Sequence, residues 1–240
     1  MTAQLEGAIL APVSPTIIDQ TFRAVLRRVY LWMAIGLSLT AVVAATVVNT
    51  SLVFVIASTP VLFYGLLIGE LLLVIGAGAA LRRLSSGAAL TLFLLYAAVN
   101  GATLSVLFLV YTLTSISYAF WVAAGLFALM SVIGYTTKMD LSRWGGYLTM
   151  GLIGFILASV VNIFFASSAL YWITTYVGIV LFLGLTVYDT QRIKGMTEEA
   201  LMAGRSDVES IIGLTGALRL YLDFINLFLL MLRVLGRRRR

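Results

Sequence analysis

Four ionisable residues lie inside long apolar stretches of the sequence, where their side chains could do chemistry: Glu70, Asp189, Asp223 and Arg233. Charged groups at membrane depth are costly, and they often mark ion paths, proton relays or binding sites. Two facing carboxylates repel each other when both are ionised, so such a pair shares protons and titrates jointly. Carboxylate oxygens also bind hard cations such as Ca²⁺. These residue types therefore predict proton and cation chemistry.

Other chemistries are excluded by composition, because the chain has no Cys and no His. Disulfides, thiolate nucleophiles and Cys metal sites are absent, as is the imidazole that usually serves as base, zinc ligand and pH switch. Serine-histidine hydrolases and HExxH metalloproteases are excluded for the same reason. A carboxylate is then the expected sensor of any pH change near neutrality.

The overall composition is that of a membrane protein. Of the 240 residues, 61% are hydrophobic and 11% are charged, whereas soluble domains carry about a quarter charged residues. The net charge of +6 comes from basic residues at the ends of apolar runs. That placement favours membrane orientation and lipid headgroups over nucleic acid as the partner. Residues 1–20 have no apolar core, so no cleaved secretory signal is expected.

Seven apolar stretches approach the roughly 20 residues that cross a bilayer. They are residues 29–48, 61–81, 88–110, 118–136, 147–166, 170–188 and 211–235. The predicted fold is therefore an all-α integral membrane protein of seven transmembrane helices (residues 29–240) after a cytoplasmic or interfacial segment (residues 1–28). Residues 16–28 either lie on the membrane surface or continue the first helix. Pro60 is expected to open the second helix, and Gly65 and Gly69 to permit close helix contact.

Basic loops alternate with neutral ones, which predicts a cytoplasmic N-terminus. Arginines precede the first span, and basic residues follow the second, fourth and sixth, whereas the turns 49–51, 112–117 and 167–169 carry no charge. The basic tail, 237–240, breaks this pattern. Either the seventh helix is re-entrant, or six consistent crossings override a tail that then lies outside.

The seventh helix carries a polar stripe formed by Arg219, Asp223, Asn226 and Arg233 at helical spacing. A stripe of this kind must face protein or a water-filled path within lipid, which predicts that this helix is central. Asp223 lies ten residues after Gly213, hence about 15 Å into the helix.

Asp189 ends the predicted sixth helix, the antiparallel neighbour of the seventh, so Asp189 and Asp223 are predicted to face each other. The alternative is a set of local ion pairs, Arg219 with Asp223 and Arg192 with Asp189. Glu70 lies about 18 Å along its helix from Arg82, near mid-membrane. A mutual pair of Glu70 and Arg233 would be either functional or only a packing contact.

A family resemblance is carried by four parts of the chain: residues 220–228 with Leu232-Arg233, residues 187–193, Glu70 with Arg82-Arg83, and Asn100-Gly101. They resemble the Bax inhibitor-1 family, also called the transmembrane Bax inhibitor motif family, and are most similar to bacterial members. The likeness follows nearly the whole chain in order.

This resemblance implies a seventh helix enclosed by the other six and a pH-sensitive Ca²⁺ leak. It implies that Asp189 and Asp223 form the sensing pair and the cation ligands, that Arg82 or Arg83 latches onto Asp189, and that Glu70 pairs with Arg233. Arg219 and Asn226 would modulate the pair. Relatives are also associated with protection from cell death and with a membrane-bound protease.

The expected function is therefore a pH-sensitive calcium leak in a bacterial plasma membrane, with Ca²⁺ and protons as its ions and no resident cofactor. The alternative is a non-transporting regulator of a membrane protease or a death pathway. A third reading, an intramembrane aspartyl protease, would need glycines before the aspartate of the last helix, where this chain has Tyr221 and Leu222. No enzymatic activity is expected.

Overall fold

The structure, a computed structural model, describes residues 15–80, 86–204 and 208–239. Nine helical segments lie within this described part: α1 (Pro15–Val48), α2 (Leu52–Ser58), α3 (Pro60–Ala80), α4 (Ser86–Leu104), α5 (Leu107–Val110), α6 (Leu113–Thr136), α7 (Trp144–Phe165), α8 (Ser168–Met202) and α9 (Val208–Leu235). The predicted all-helical membrane architecture is thus confirmed at this level. Arg82, Arg83 and Arg205 lie outside the described residues.

Among the described residues, five helices are long and apolar enough to cross a membrane, or six if the bent pair α2–α3 counts as one. The sequence predicted seven crossings, and α9 is not among these five or six. Pro60 begins α3 as predicted, and the chain bends by 94° between α2 and α3. The predicted third span is interrupted after Leu104, so its end forms the separate short helix α5.

Helix α1 is continuous over 34 residues, about 51 Å. Of the two alternatives for residues 16–28, the structure therefore shows the continuation of the first helix. One face of this part is buried through Phe22 and Val25, while Asp19 and Arg23 form an exposed ion pair of 2.9 Å. Helix periodicity places the apolar residues on the packed face and the charges outside.

Helix α8 runs well past the predicted end at residue 188 and reaches Met202. Asp189 consequently lies within a helix and not at its end. The prediction stopped where the apolar run stopped, but helix formation does not require lipid. Ile193, Thr197 and Ala200 are still buried against the protein, which stabilises this extension as an amphipathic helix.

The core forms around α9, which packs against α1, α4, α6 and α8. Most residues from Ile212 to Leu232 are buried, and Leu220, Tyr221 and Leu227 have no exposed surface. By contrast, α7 has no buried residue and packs against α8, while α3 packs against α4 and α2. The helix that carries Arg219, Asp223 and Arg233 therefore lies deepest in the protein.

Close helix contacts occur at glycines of the other helices and not at Gly65 or Gly69. A Cβ at Gly65 or Gly69 would meet no heavy atom within 4 Å, so the expected contact there is wrong. A Cβ at Gly101 of α4 would lie 2.6 Å from the carbonyl oxygen of Thr40 in α1, and one at Gly134 of α6 would lie 2.6 Å from that of Val187 in α8. Small residues at these two points let the backbones approach.

Both ends of α9 are fastened to other elements. At its start, Arg28 of α1 forms an ion pair of 3.2 Å with Glu209. At its end, the backbone amide of Arg239 donates to the carbonyl of Val110 over 2.8 Å, and that of Thr112 donates to Arg237 over 3.2 Å. The tail thus lies at the same end of the bundle as the α5–α6 turn. Helix α9 runs unbroken between these two ends.

Candidate functional site

Asp189 of α8 and Asp223 of α9, here called the acidic pair, are both buried, with 6% and 4% of their surface exposed. The two carboxylates are close enough for the charge of Asp189 to act on Asp223. Both also feel the charge of Arg219, one turn before Asp223. The structure therefore brings together the two aspartates that the sequence predicted to face each other.

The ion pairs at this site differ from the expected local ones. Arg219 Nη1 donates to Asp189 Oδ1 of the neighbouring helix over 3.4 Å, and not to Asp223 of its own helix. Arg192 donates to the hydroxyl of Tyr188 over 3.2 Å, although its charge also acts on Asp189. The contact between Arg219 and Asp189 is long for a hydrogen bond between charged groups. The bridge across the helices is therefore loose.

Asp223 has an unsatisfied oxygen. Its Oδ2 atom is buried and has no hydrogen-bond partner. Buried polar atoms are nearly always bonded, so an exception calls for a physical reason. A carboxyl oxygen in this position can hold a proton, or it can accept a cation or a water molecule.

The packing around the pair fixes where its side chains point. Gly134 lets α6 approach α8 within one turn of Asp189, at Val187 and Thr190. On α9, Phe224 follows Asp223 and stacks edge-on against Phe120 and Phe127, with ring centroids 5.4 and 5.6 Å away. Both aspartates thus project from tightly packed helix segments.

The described residues contain no cluster of three or more His, Cys, Asp or Glu side chains that could hold a metal ion. The acidic pair offers two carboxylates, fewer than the six to eight oxygens that surround Ca²⁺. Two carboxylates alone therefore supply too few oxygens to surround a Ca²⁺ ion.

A second cluster, here called the Glu70 cluster, lies between α3 and α4. Glu70 Oε1 accepts from Thr103 Oγ1 over 2.5 Å, and Oε2 accepts from Asn100 Nδ2 over 3.1 Å. The hydroxyl of Tyr221 in α9 donates to Asn100 Oδ1 over 3.2 Å and lies 2.6 Å from Thr40 Oγ1 in α1. A chain of hydrogen bonds therefore starts at the buried Glu70 carboxylate of α3 and connects it through α4 and α9 to α1.

The predicted pair of Glu70 and Arg233 is wrong. The guanidinium of Arg233 lies over the ring of Tyr171, 5.4 Å from its centroid, at the far end of α9. Tyr221 stands on α9 at the level of the Glu70 cluster, and Arg233 is twelve residues further, about 18 Å along the axis. That separation is too large for the two charges to meet.

Sequence reasoning missed three members of the Glu70 cluster: Thr40, Thr103 and Tyr221. Thr103 follows Asn100 by three residues and so shares its helix face, which is a usable signal. Thr40 and Tyr221 give no such signal, because their partners depend on how α1, α4 and α9 cross. Asn226, expected to modulate the acidic pair, donates to the Leu222 carbonyl of its own helix over 2.8 Å.

Fold and site together define a helical multi-pass membrane protein with carboxylates buried among its helices. Residues 22–240 match the model of the family described as "Inhibitor of apoptosis-promoting Bax1". The chain belongs to this family, the Bax inhibitor-1 family, as the resemblance in its sequence indicated.

Bacterial relatives support this assignment along nearly the full length. The inner membrane protein YbhL of Escherichia coli (strain K12) is 48% identical over 221 residues, which cover 92% of this chain and 93% of the relative. A protein of Borreliella burgdorferi is 44% identical, covering 89% and 92%. Protein RP147 of Rickettsia prowazekii is 40% identical, covering 92% of both. The names of these relatives mention no enzymatic activity.

Proposed function

We propose that this protein is a cation leak with Ca²⁺ as its main cargo, and that the acidic pair makes the leak sensitive to pH. The observation that carries the proposal is the buried, unpartnered Oδ2 atom of Asp223 beside Asp189. An ionised carboxylate in that position lacks the hydrogen bonds that would stabilise its charge. A proton or a cation supplies what is missing, and the two compete for the same oxygens.

The proposed mechanism follows from this competition. With both carboxylates ionised, the pair attracts a cation and repels itself. With a proton bound, the attraction weakens, so cation occupancy changes with pH. Arg82 or Arg83 is proposed as a latch on Asp189. In the structure Arg219 is bound at Asp189, so a latch arginine would have to share or replace this contact.

The proposed architecture around the pair has seven crossings, with α9 enclosed by the other six helices. Its support is the packing of α9 against α1, α4, α6 and α8, and its nearly complete burial. The alternating basic loops support a cytoplasmic N-terminus. The tail beside the α5–α6 turn would then lie outside. A bacterial plasma membrane is the proposed location, as for the relative named an inner membrane protein.

Calcium flux into proteoliposomes tests the proposal directly. The purified protein should pass Ca²⁺ at a rate that changes between about pH 5 and 8, and Asp223→Asn should abolish that pH dependence, because the amide carries no negative charge and does not titrate in this range. Asp19→Asn is the matched control, since Asp19 is exposed and paired with Arg23. Flux that is unchanged in Asp223→Asn would refute the role of the pair.

A regulatory role without transport is the second candidate, and one surface favours it. The end of α6, the turn to α7 and the extension of α8 enclose a polar cavity of about 760 Å³, lined by residues that include Lys138, Asp140, Gln191, Arg192 and Glu198. Its mixed charges suit a polar protein segment, such as part of a membrane-bound protease. Absence of flux in folded protein, together with a partner that co-purifies, would favour this function.

A further inference from the structure

Among the described arginines, Arg219 is the one that forms an ion pair with a buried carboxylate. It projects from α9, the most buried helix, yet its side chain is 35% exposed. Its one described ion-pair partner is Asp189 on α8, over 3.4 Å. A guanidinium normally binds a carboxylate through two short parallel bonds. Here a single long contact joins Arg219 to the acidic pair. Because part of the guanidinium is already in contact with solvent, the side chain can move away from Asp189 without losing hydration.

Within the described residues, fewer positive than negative charges are in contact at the site. Asp189 and Asp223 carry two negative charges when ionised, and Arg219 is the cation that contacts one of them. Arg192 acts on Asp189 from a distance, but its guanidinium is bound to the hydroxyl of Tyr188 and lies 5.8 Å from that ring. The Oδ2 atom of Asp223 remains without any partner. Among the described arginines, Arg219 is therefore the one in contact with this pair of buried carboxylates.

We propose that Arg219 is a tethered counter-cation: it occupies the cation position beside Asp189 at rest, and it must move aside when Ca²⁺ enters the acidic pair. Arg219 thereby sets how tightly the pair binds a free cation. This inference rests on the proposed function, because it assumes that the pair is a cation site.

The physical basis is competition between like charges. A Ca²⁺ ion between the carboxylates would lie within a few ångström of the guanidinium, and at that distance the two positive charges repel each other strongly enough to weaken Ca²⁺ binding. Partial exposure of Arg219 reduces that repulsion, because water screens the charge and offers it another position. The tethered cation thus weakens ion binding without preventing it.

The test is Ca²⁺ binding to the full-length protein in lipid nanodiscs, measured by equilibrium dialysis with radioactive Ca²⁺. Arg219→Gln removes the charge and should tighten Ca²⁺ binding by about tenfold or more. Arg219→Lys keeps the charge and should stay near the wild-type affinity. Arg233→Gln is the matched control, because Arg233 is a half-buried arginine on the same helix that lies over Tyr171 instead. It should leave the affinity unchanged.

Thermal unfolding of each variant separates this role from a structural one, because loss of a helix contact lowers stability without tightening ion binding. If Arg219→Gln binds Ca²⁺ no more tightly than Arg233→Gln does, the tethered counter-cation is refuted, while the proposed leak stands as long as Asp223→Asn still abolishes pH-dependent flux. If wild-type protein and Arg219→Gln both fail to bind or conduct Ca²⁺, the proposed function and this inference fall together.

Discussion

Glu70 and Asp223 are both carboxylates buried among helices, yet their surroundings are opposite. Both oxygens of Glu70 accept hydrogen bonds, from Thr103 and Asn100, and the cluster extends to Tyr221. Asp223 has another carboxylate nearby and an oxygen that bonds to nothing. Asn100 and Tyr221 connect the first cluster to the same helix that carries the second.

The difference shows how similar side chains can serve structure in one place and chemistry in another. A buried carboxylate whose oxygens are satisfied fixes its neighbours, and among the described side chains of α3, residues 60–76, Glu70 is the one that is buried. It therefore attaches α3 to α4. A buried carboxylate oxygen without a hydrogen bond loses its hydration and gains no partner that offsets this cost. It is therefore available to take up a proton or a cation.

The largest expected effect is the loss of stability when Glu70 is replaced, which tests the difference between the two carboxylates. Glu70→Leu should lower the free energy of unfolding by about 3 kcal/mol, since the donors of Asn100 and Thr103 lose their partner. The matched change Asp223→Leu should cost less, within about 1 kcal/mol, because no described hydrogen bond is lost and repulsion with Asp189 is relieved. Denaturant or thermal unfolding in detergent measures both. Equal losses in the two variants would remove the distinction between the clusters.

An intermediate effect is expected from Tyr221→Phe. The change leaves Asn100 Oδ1 without its donor, but Thr40 can still donate to the carbonyl of Ala97, 2.9 Å away. One buried acceptor, Asn100 Oδ1, thus loses its donor, which should lower the free energy of unfolding by about 1 kcal/mol. Tyr176→Phe is the control, because Tyr176 is 56% exposed. Unfolding curves for the two variants that coincide would show that the Tyr221 hydroxyl does not hold the Glu70 cluster together.

The smallest effect concerns a solvated carboxylate, Asp140, in the turn between α6 and α7. Its Oδ1 accepts from the amide of Ser142 over 2.9 Å, and the hydrogen bonds with Ser142 lower the pKa of Asp140 below 3.8. Since the folded-state pKa is the lower one, the stabilisation is present above the unfolded-state pKa and is lost as the pH falls through the folded-state pKa.

Asp140→Asn should therefore lower the Tm slightly at pH 7, and the difference from wild type should shrink as the pH falls below about 4. Tm measurements across that range detect it. A difference that grows on acidification would mean that the carboxylate does not stabilise the turn in its ionised form.

The sequence was most informative about the position of each charged residue along its membrane helix, and least informative about which side chains contact each other. Hydropathy located the membrane helices, and single charges in apolar runs singled out Glu70, Asp189 and Asp223. The antiparallel order of the last two spans brought Asp189 and Asp223 together, as the structure shows. These inferences need only the rise per residue and the direction of the chain.

Partner choice depends on helix rotation and crossing, which periodicity does not supply. The alternative of a local ion pair between Arg219 and Asp223 is not what the structure shows, because Arg219 binds Asp189. Glu70 was expected to reach Arg233 and binds Asn100 and Thr103. In each case the position of the residue along its own helix was predicted correctly. The rotation of each helix about its axis, relative to its neighbour, decided which side chains came into contact.

The fastening of α9 at both ends limits how the protein can change shape. The ion pair of Arg28 with Glu209 anchors one end, and the backbone bonds to Val110 and Thr112 anchor the other. Sliding by a single residue would shift the helix by about 1.5 Å and strain both attachments at once. Translation of α9 along its own axis is therefore disfavoured. Arg219 can then separate from Asp189 by movement of its partly exposed side chain or by tilting of α8 against α9, which stays in place.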